Sequence, residues 1–310
     1  MGTGKKNKDD KWLRIDLFAA PELMDALSNF VTEIGAAGMY QEALASAIAE
    51  PEEHISYESL TAYLPWDKRM ERLAALKTYL ENLAEIFPEL KKTTFAIKEI
   101  TGPDWEEEWK KYFHPFRVGK RIVIKPTWEI YEPADTDVVI EIDPGMAFGT
   151  GQHASTMMCL EAMEEIISSN SAFQLDVLDV GTGTGILGIA AAKFGAKRVL
   201  CIDIDAKAVE IACFNAALNR VGKNLTIRNK TISSLRRRFS LIMANLTAKL
   251  LIDLSNNLKR LLTPGGVLII SGIIEQNRQE IEDCFFSSSL GLRRMIKRQE
   301  WLCYILAKEK

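Results

Sequence analysis

The stretch that most constrains the fold is residues 176–185, which read DVLDVGTGTG. A strand-like apolar run ends at Val180 and leads directly into three glycines at alternate positions. An Ala-rich apolar segment, predicted to be a helix, follows and ends at Gly195. A glycine turn between a strand and a helix is typical of a nucleotide-type cofactor site, because a side chain would keep the ligand away from the backbone. The stretch therefore predicts a doubly wound α/β domain.

The residues around the turn restrict the class of ligand that can bind there. The pattern is D-x-G-x-G-x-G beginning at Asp179, whereas the third glycine of a dinucleotide fingerprint would fall at Ile186. The next predicted strand carries Asp203, 22 residues after Gly181, where a carboxylate can accept hydrogen bonds from both ribose hydroxyls. No P-loop lysine is present to hold a triphosphate. The combination resembles an S-adenosylmethionine site, and a glycine-rich turn of another doubly wound domain is the alternative.

Composition places the chain among globular proteins of one large or two moderate domains, since it has 310 residues and is 47% apolar. It contains no long apolar run and no signal-peptide pattern, so we expect a cytoplasmic protein without membrane association. A net charge of −3 argues against a broad nucleic-acid footprint, and we expect no direct contact with DNA. None of the five cysteines forms a C-x-x-C pair, which indicates reduced, packed thiols and no metal site.

The first hundred residues alternate between strand-like and helical patterns in the order βαββαβ, which predicts a ferredoxin-like α+β unit. Strands are predicted at residues 12–18, 36–44, 57–65 and 93–100, and helices at 21–35 and 67–87. The predicted domains are a disordered tail at 1–11, a substrate-recognition domain at 12–100, a linker helix at 101–116 and an α/β catalytic domain at 117–310. Residues 1–100 hold 12 basic and 17 acidic side chains, a net charge of −5 that could attract a basic protein.

Two segments flank the glycine turn in the sequence. Residues 145–151 form a glycine-rich loop, after which Ser155 or Thr156 is predicted to cap a helix whose N-terminus could hold a carboxylate. His153 in this loop is either a hinge residue or a substrate contact, and His114 is predicted to be structural. Towards the C-terminus, a buried strand ends in Asn245, and the last two strands form a hairpin with a tight turn near residues 297–300.

These segments resemble the ribosomal protein L11 methyltransferase (PrmA) family over nearly the whole chain from residue 12. The most specific segment is DPGMAFGTGQHAST at residues 143–156, and DVGTGTGILGIAAAKFGA, IDIDAKAVEIACFNAALN and MANL continue the resemblance. It implies a small ferredoxin-like domain followed in the sequence by a Rossmann-like S-adenosylmethionine-dependent methyltransferase domain. Two departures are His153-Ala154, where the family usually has His-Pro, and Leu246-Thr247, where it usually has an apolar pair.

The resemblance also implies a set of site residues. The cofactor contacts that it implies are Thr156, Gly181, Gly183, Asp203, Asn245, Gly149 and Thr150. We further hypothesise that Asn245 is catalytic, accepting a hydrogen bond from the amine and directing its lone pair. The family's small N-terminal domain recognises the ribosomal substrate.

The implied function is S-adenosylmethionine-dependent N-methylation of amines, on lysine side chains or the N-terminus, of ribosomal protein L11. The substrate would be the ribosomal protein, free or in the large subunit, and we expect the enzyme to be a monomer. Alternatives are a related protein lysine methyltransferase with another target and a non-catalytic ribosome-binding module. Methylation of exocyclic base amines is disfavoured, because Asn245 is not followed by the Pro-Pro-aromatic sequence that stacks a flipped base.

Overall fold

The computed structural model describes residues 11–36, 38–43, 58–88, 93–101, 113–143, 151–169, 175–286 and 290–309. These residues divide into two compact units, one ending at Phe113 and the other beginning at His114. Three predictions lie outside the described residues: the tail at 1–10, the linker at 102–112, and the loop at 144–150 that contains Gly149 and Thr150.

The N-terminal unit is a four-stranded antiparallel sheet with two helices. Its elements are β1 Lys11–Ala19, α1 Pro21–Glu33, β2 Gly38–Ala43, β3 Glu58–Pro65, α2 Arg69–Ile86 and β4 Thr94–Thr101. The strand order β2-β3-β1-β4 is that of the ferredoxin-like arrangement, which confirms the predicted βαββαβ unit. Alternate residues of β1, such as Leu13, Ile15 and Leu17, are buried in the core, as the period of two requires. Lys11 and Thr101 were predicted to lie in the tail and in the linker helix, but they are the first residue of β1 and the last residue of β4.

The second unit is built on a seven-stranded sheet in the order β10-β9-β8-β11-β12-β14-β13. Its strands are β8 Asp176–Val180, β9 Arg198–Asp203, β10 Leu225–Asn229, β11 Phe239–Asn245, β12 Leu262–Ile274, β13 Leu290–Arg298 and β14 Trp301–Lys308. The first five are parallel, and β14 and β13 close the sheet as an antiparallel hairpin. This is the predicted Rossmann-like methyltransferase arrangement, with the order of parallel strands reversing beside β8.

Helices cover both faces of this sheet, and a small three-stranded sheet precedes it. The helices are α3 Ala154–Ser169, α4 Ile186–Lys193, α5 Ala206–Leu218, α6 Ala248–Leu261 and α7 Arg278–Phe285. The small sheet consists of β5 Phe116–Val118, β6 Ile122–Lys125 and β7 Val138–Glu141. Two apolar clusters, one on each side of the large sheet, are filled by alternating residues of the same strands, such as Val177 and Leu178 of β8. The carboxyl ends of β8, β9 and β11 therefore emerge from a rigid core at one edge.

Candidate functional site

The glycine turn after β8 has a backbone that other residues would adopt only with strain. Gly181, Gly183 and Gly185 have φ angles of +68°, +54° and +85°. The amides of Gly181 and Thr182 both donate to the carbonyl of Ile202, at 2.9 and 3.1 Å. The turn is thus fixed to the end of β9, and Gly181 and Gly183 remain partly exposed.

Asp203 ends β9 directly beside this turn. Its Oδ2 accepts a hydrogen bond from the amide of Gly183 at 3.0 Å, and its Oδ1 accepts one from the amide of Asp205 at 3.0 Å. Asp205 in turn caps α5 by accepting from the amide of Lys207 at 2.9 Å. The structure therefore brings together two predicted site residues, Gly183 and Asp203, and fixes the carboxylate orientation through the backbone.

Asp179 lies beneath the turn and is 1% exposed. Its Oδ2 accepts hydrogen bonds from Thr182 Oγ1 at 2.5 Å and from the amide of Gly188 at 3.1 Å. Its Oδ1 is buried and has no hydrogen-bond partner among the described residues. Burial raises the pKa of Asp179 to about 6, and the nearby charge of Asp203 acts in the same direction. The turn therefore rests on a buried carboxylate that loses its proton less readily than an exposed aspartate does.

Replacing Asp179 with asparagine is expected to stabilise the protein above pH 6. Because the folded-state pKa lies above the unfolded value, ionisation disfavours the folded state as pH rises through the window from about 4 to 6. The gain in unfolding free energy should grow from nearly zero at low pH to at most about 3 kcal/mol at neutral pH, as a two-unit shift implies. Urea unfolding at a series of pH values measures it.

The matched control for this substitution lies at the other end of the same strand. Ion pairing with Arg198 and Arg237 lowers the pKa of Asp176 to about 2, so its ionised form stabilises the folded state. Asp176→Asn should therefore lower stability at neutral pH, which is the opposite sign. A loss of stability in both variants would contradict the conclusion that ionised Asp179 destabilises the folded state.

Asn245 lies at the carboxyl end of β11 and contacts the first turn of α3. Its Nδ2 donates to Thr156 Oγ1 at 3.1 Å, and no described residue donates to its Oδ1. The next residue, Leu246, is fixed on two sides: its amide donates to the carbonyl of Ser271 at 3.0 Å, and its carbonyl lies 2.5 Å from where a Cβ on Gly272 would be. Its side chain also packs against the glycine turn, since a Cβ on Gly181 would lie 2.4 Å from Leu246 Cδ2.

The predicted cap of α3 was wrong in position. The helix begins at Ala154, so Ser155 and Thr156 lie inside its first turn, where both are 1% exposed. The preceding residue, His153, contacts Ser155 Oγ through Nδ1 at 2.7 Å and packs edge-on against Trp301 with 4.6 Å between ring centroids. These contacts favour a hinge or positioning role for His153 and leave Thr156 directed at Asn245.

Several residues near the turn were not singled out from the sequence. Thr182 supplies the hydroxyl that binds Asp179, and the buried Asn215 donates from Nδ2 to the carbonyl of Thr184 at 2.8 Å. Ile204, directly after Asp203, is 77% exposed. A lone amide in the Ala-rich helix α5 was a usable signal for Asn215, and an isoleucine between two aspartates was one for Ile204.

The close packing of α4 on β9 gives a second test. A Cβ on Gly188 would lie 2.1 Å from Cys201 Sγ and 3.4 Å from Asp179 Oδ2. Gly188→Ala should therefore destabilise the protein by about 1–3 kcal/mol, although alanine normally favours a helix. Urea unfolding should show partial recovery when Cys201→Ala is added, and no comparable loss for Gly222→Ala, where nothing lies within 4 Å. Additive losses in the double variant would contradict this packing.

No group of three or more potential metal-binding side chains occurs in the described part of the chain. All five cysteines are free, and Cys159, Cys201 and Cys303 are buried as predicted, whereas Cys213 is exposed and Cys284 is half-buried. Within the same residues no helix is long and apolar enough to cross a membrane.

The donor set fits a nucleoside-containing ligand without phosphates. The turn presents backbone rather than cationic side chains, and the carboxylate of Asp203 at the next strand end suits a ribose. Asn245 and Thr156 meet at the same edge of the sheet. The fold and this site define a Rossmann-like, S-adenosylmethionine-dependent methyltransferase.

Comparison with known proteins identifies the family. The family model for ribosomal protein L11 methyltransferase (PrmA) matches residues 11–309, and the chain belongs to this family. The chain is 36% identical over 308 residues to a ribosomal protein L11 methyltransferase from Geotalea daltonii, covering 96% of this chain and 98% of the relative. It is 38% identical over 303 residues to one from Syntrophotalea carbinolica, with the same coverage of both proteins.

A solved structure agrees with the family assignment. The crystal structure of a ribosomal protein L11 methylase from Lactobacillus delbrueckii subsp. bulgaricus is 32% identical to the chain, with a TM-score of 0.59. The match covers 64% of this chain and 100% of that one. The resemblance inferred from the sequence motifs is confirmed.

Proposed function

We propose that the chain methylates amines of ribosomal protein L11, on lysine side chains, at the N-terminus or both. The names of relatives that match over 96% of the chain support this substrate. The observation that carries the chemistry is the position of Asn245, whose Oδ1 accepts no hydrogen bond from the described residues and lies at the same sheet edge as the glycine turn. An amide oxygen at that place can accept a hydrogen bond from a substrate amine.

The cofactor would be held by one helix and by groups at three strand ends, the third of which carries Asn245. Asp203 would accept the ribose hydroxyls, the backbone of Gly181 and Gly183 would lie against the cofactor, and Thr156 would lie near its amino-acid part. Gly149 and Thr150 are assigned to the same contact by the family motif. Ile204, exposed beside Asp203, offers an apolar surface on which adenine can pack.

When bound, S-adenosylmethionine supplies an electrophilic methyl group on its sulfonium, so the protein must mainly orient the amine. A lysine amine is protonated at neutral pH and must lose a proton before it can react. Asn245 is neutral, so it accepts a hydrogen bond without stabilising the ammonium form as a carboxylate would. Its Oδ1 would hold the neutral amine with the lone pair directed at the methyl group.

Substrate choice is assigned to the N-terminal unit at residues 12–100. The net charge of −5 over residues 1–100 fits a basic partner. Strand β4 lies at one edge of its sheet and leaves Ile97 43% exposed, so the unit offers both an apolar and an acidic contact surface. The monomeric state and the cytoplasmic location of the enzyme stay predictions.

Radiolabelled methyl transfer into purified ribosomal proteins, followed by mass mapping, tests the proposal. Label should enter ribosomal protein L11, and the mapped positions should be amines. Label in another ribosomal protein, with none in L11, would favour a related lysine methyltransferase with a different target. Cofactor binding by calorimetry without any transfer would instead favour a ribosome-binding module that has kept the fold.

A further inference from the structure

The distribution of charge in the catalytic unit is uneven in a way that the net charge of −3 conceals. Between Glu210 and Asp253 the sequence contains eight basic residues and no acidic residue. The eight are Arg220, Lys223, Arg228, Lys230, Arg236, Arg237, Arg238 and Lys249. Such a run of one sign is a local electrostatic feature rather than a general surface property.

Six of these residues are exposed along one stretch of chain, residues 223–238, which we call the basic edge. It consists of Lys223, Arg228, Lys230, Arg236, Arg237 and Arg238, all of which are exposed. They lie on β10, the outermost strand of the seven-stranded sheet, or in the segments directly before and after it. The chain then returns from the carboxyl end of β10 to the start of β11 through a short turn, in which Ile232 and Leu235 are buried in the core. The turn thereby orders the segment that carries the arginines.

The basic edge is largely free of carboxylate partners. Arg237 pairs with Asp176 at 2.5 Å, and that carboxylate is shared with Arg198. The other five make no ion pair with any described residue; Arg228 and Arg236 donate only to backbone carbonyls. The opposite edge strand differs, because Arg294, Lys297 and Arg298 of β13 each pair with a glutamate. Charged side chains can protect an edge strand from pairing with another chain. Strand β13 carries cations that are paired, so this protection does not explain the unpaired cations near β10.

The chemistry of the basic edge favours a phosphate backbone as its partner. Four of its six cations are arginines, whose planar guanidinium groups match phosphate oxygens in pairs. In the described residues between 219 and 238 no large apolar side chain is exposed, whereas a membrane-binding surface would present some. One end of the basic edge lies at the cofactor side of the sheet, where the amide of Lys230 donates to the carbonyl of Asp203 at 3.0 Å. The other end lies at the amino end of β8, where Arg237 pairs with Asp176.

We propose that the basic edge binds RNA through its phosphates, so that the enzyme can engage a protein substrate that is itself bound to RNA. The binding surface follows from the charges alone, whereas the RNA-bound state of the substrate rests on the proposed function. RNA contact here is independent of base sequence, because nothing on the edge is arranged to read bases. Affinity should therefore depend steeply on salt.

Fluorescence anisotropy with a labelled RNA hairpin over a KCl series tests the surface. The variant Arg228→Gln/Arg236→Gln/Arg238→Gln leaves the pair of Arg237 with Asp176 intact. It should bind the hairpin at least about tenfold more weakly and reduce the slope of log affinity against log salt by about 2, as the loss of three phosphate contacts implies. The matched control, Arg293→Gln/Arg294→Gln/Lys297→Gln on β13, removes the same charge and should change affinity by less than about threefold.

Three outcomes would overturn the proposal: no salt-dependent binding of the hairpin by the unaltered chain, equal losses in both variants, or tighter binding to phosphatidylserine vesicles than to RNA. Methyl transfer to free ribosomal protein L11, measured in parallel, keeps the two proposals separate. Both variants should retain methyl transfer, since none of the six substituted residues belongs to the cofactor or methyl-transfer site. Absence of transfer in the unaltered chain would count against the proposed function and leave the RNA result standing.

Discussion

Replacing Asp203 with alanine is expected to weaken cofactor binding by about two orders of magnitude. The carboxylate would accept hydrogen bonds from both ribose hydroxyls, and each hydrogen bond to a charged group contributes about 1.5–3 kcal/mol. It also accepts from the amides of Gly183 and Asp205, so its loss relaxes the glycine turn. Isothermal titration with S-adenosylhomocysteine measures the affinity without requiring turnover.

Two neighbouring variants separate ribose binding from loop support. Asp203→Asn keeps one acceptor oxygen and should lose less affinity than the alanine variant. Asp205→Ala removes the N-cap of α5 and should cost about 1 kcal/mol of stability with only a small effect on affinity. An affinity within threefold of the unaltered chain for Asp203→Ala would exclude the ribose assignment.

Local sequence patterns predict most of the helices and strands of this chain. The strands of the N-terminal unit are short and alternating, and each was predicted to within two residues at either end. The sequence predicts a helix at residues 206–218, and α5 spans Ala206–Leu218 because Asp205 caps one end and the apolar pattern stops at the other. The sequence predicts a turn at residues 263–266, because of their proline and glycines, and a strand at 267–273. Strand β12 instead begins at Leu262, because Thr263–Gly266 continue as extended chain.

The site is less readable because its residues depend on contacts between distant segments. Asp203 followed from spacing alone, since the strand and the turn lie in one βαβ unit. The pairing of Asn245 with Thr156 joins residues 89 positions apart, and no local pattern predicted that their side chains would meet. The strain on Asp179 is also invisible in sequence, because it arises when a carboxylate with one unpartnered oxygen is buried under a turn. A charge retained at such cost is expected at a functional site rather than in an ordinary core.

Replacing Asn245 with alanine should reduce methyl transfer by about two to three orders of magnitude while cofactor affinity changes only a few-fold. The reason is that a positioned hydrogen-bond acceptor acts on the reacting amine, and misplacement of a nucleophile by a small distance costs on the order of 100-fold. The backbone that carries Asn245 should persist, because Leu246 remains fixed by Ser271 and by the close approach of Gly272. Single-turnover transfer and calorimetry, measured on the same preparation, separate the two quantities.

Substitutions of Thr156 test whether Asn245 must be held in position for methyl transfer. Its hydroxyl holds Asn245 through Nδ2, which leaves Oδ1 directed away from that contact. Thr156→Val removes the acceptor but keeps the shape, so it should lower the single-turnover rate, whereas Thr156→Ser keeps the hydroxyl and should restore most of it. Asn245→Asp keeps an acceptor but adds a charge that favours the protonated amine, so its rate should recover only as pH rises. A rate for Asn245→Ala equal to that of the unaltered chain would exclude Asn245 from the transfer step, and the amine would then have to be oriented by the substrate protein alone.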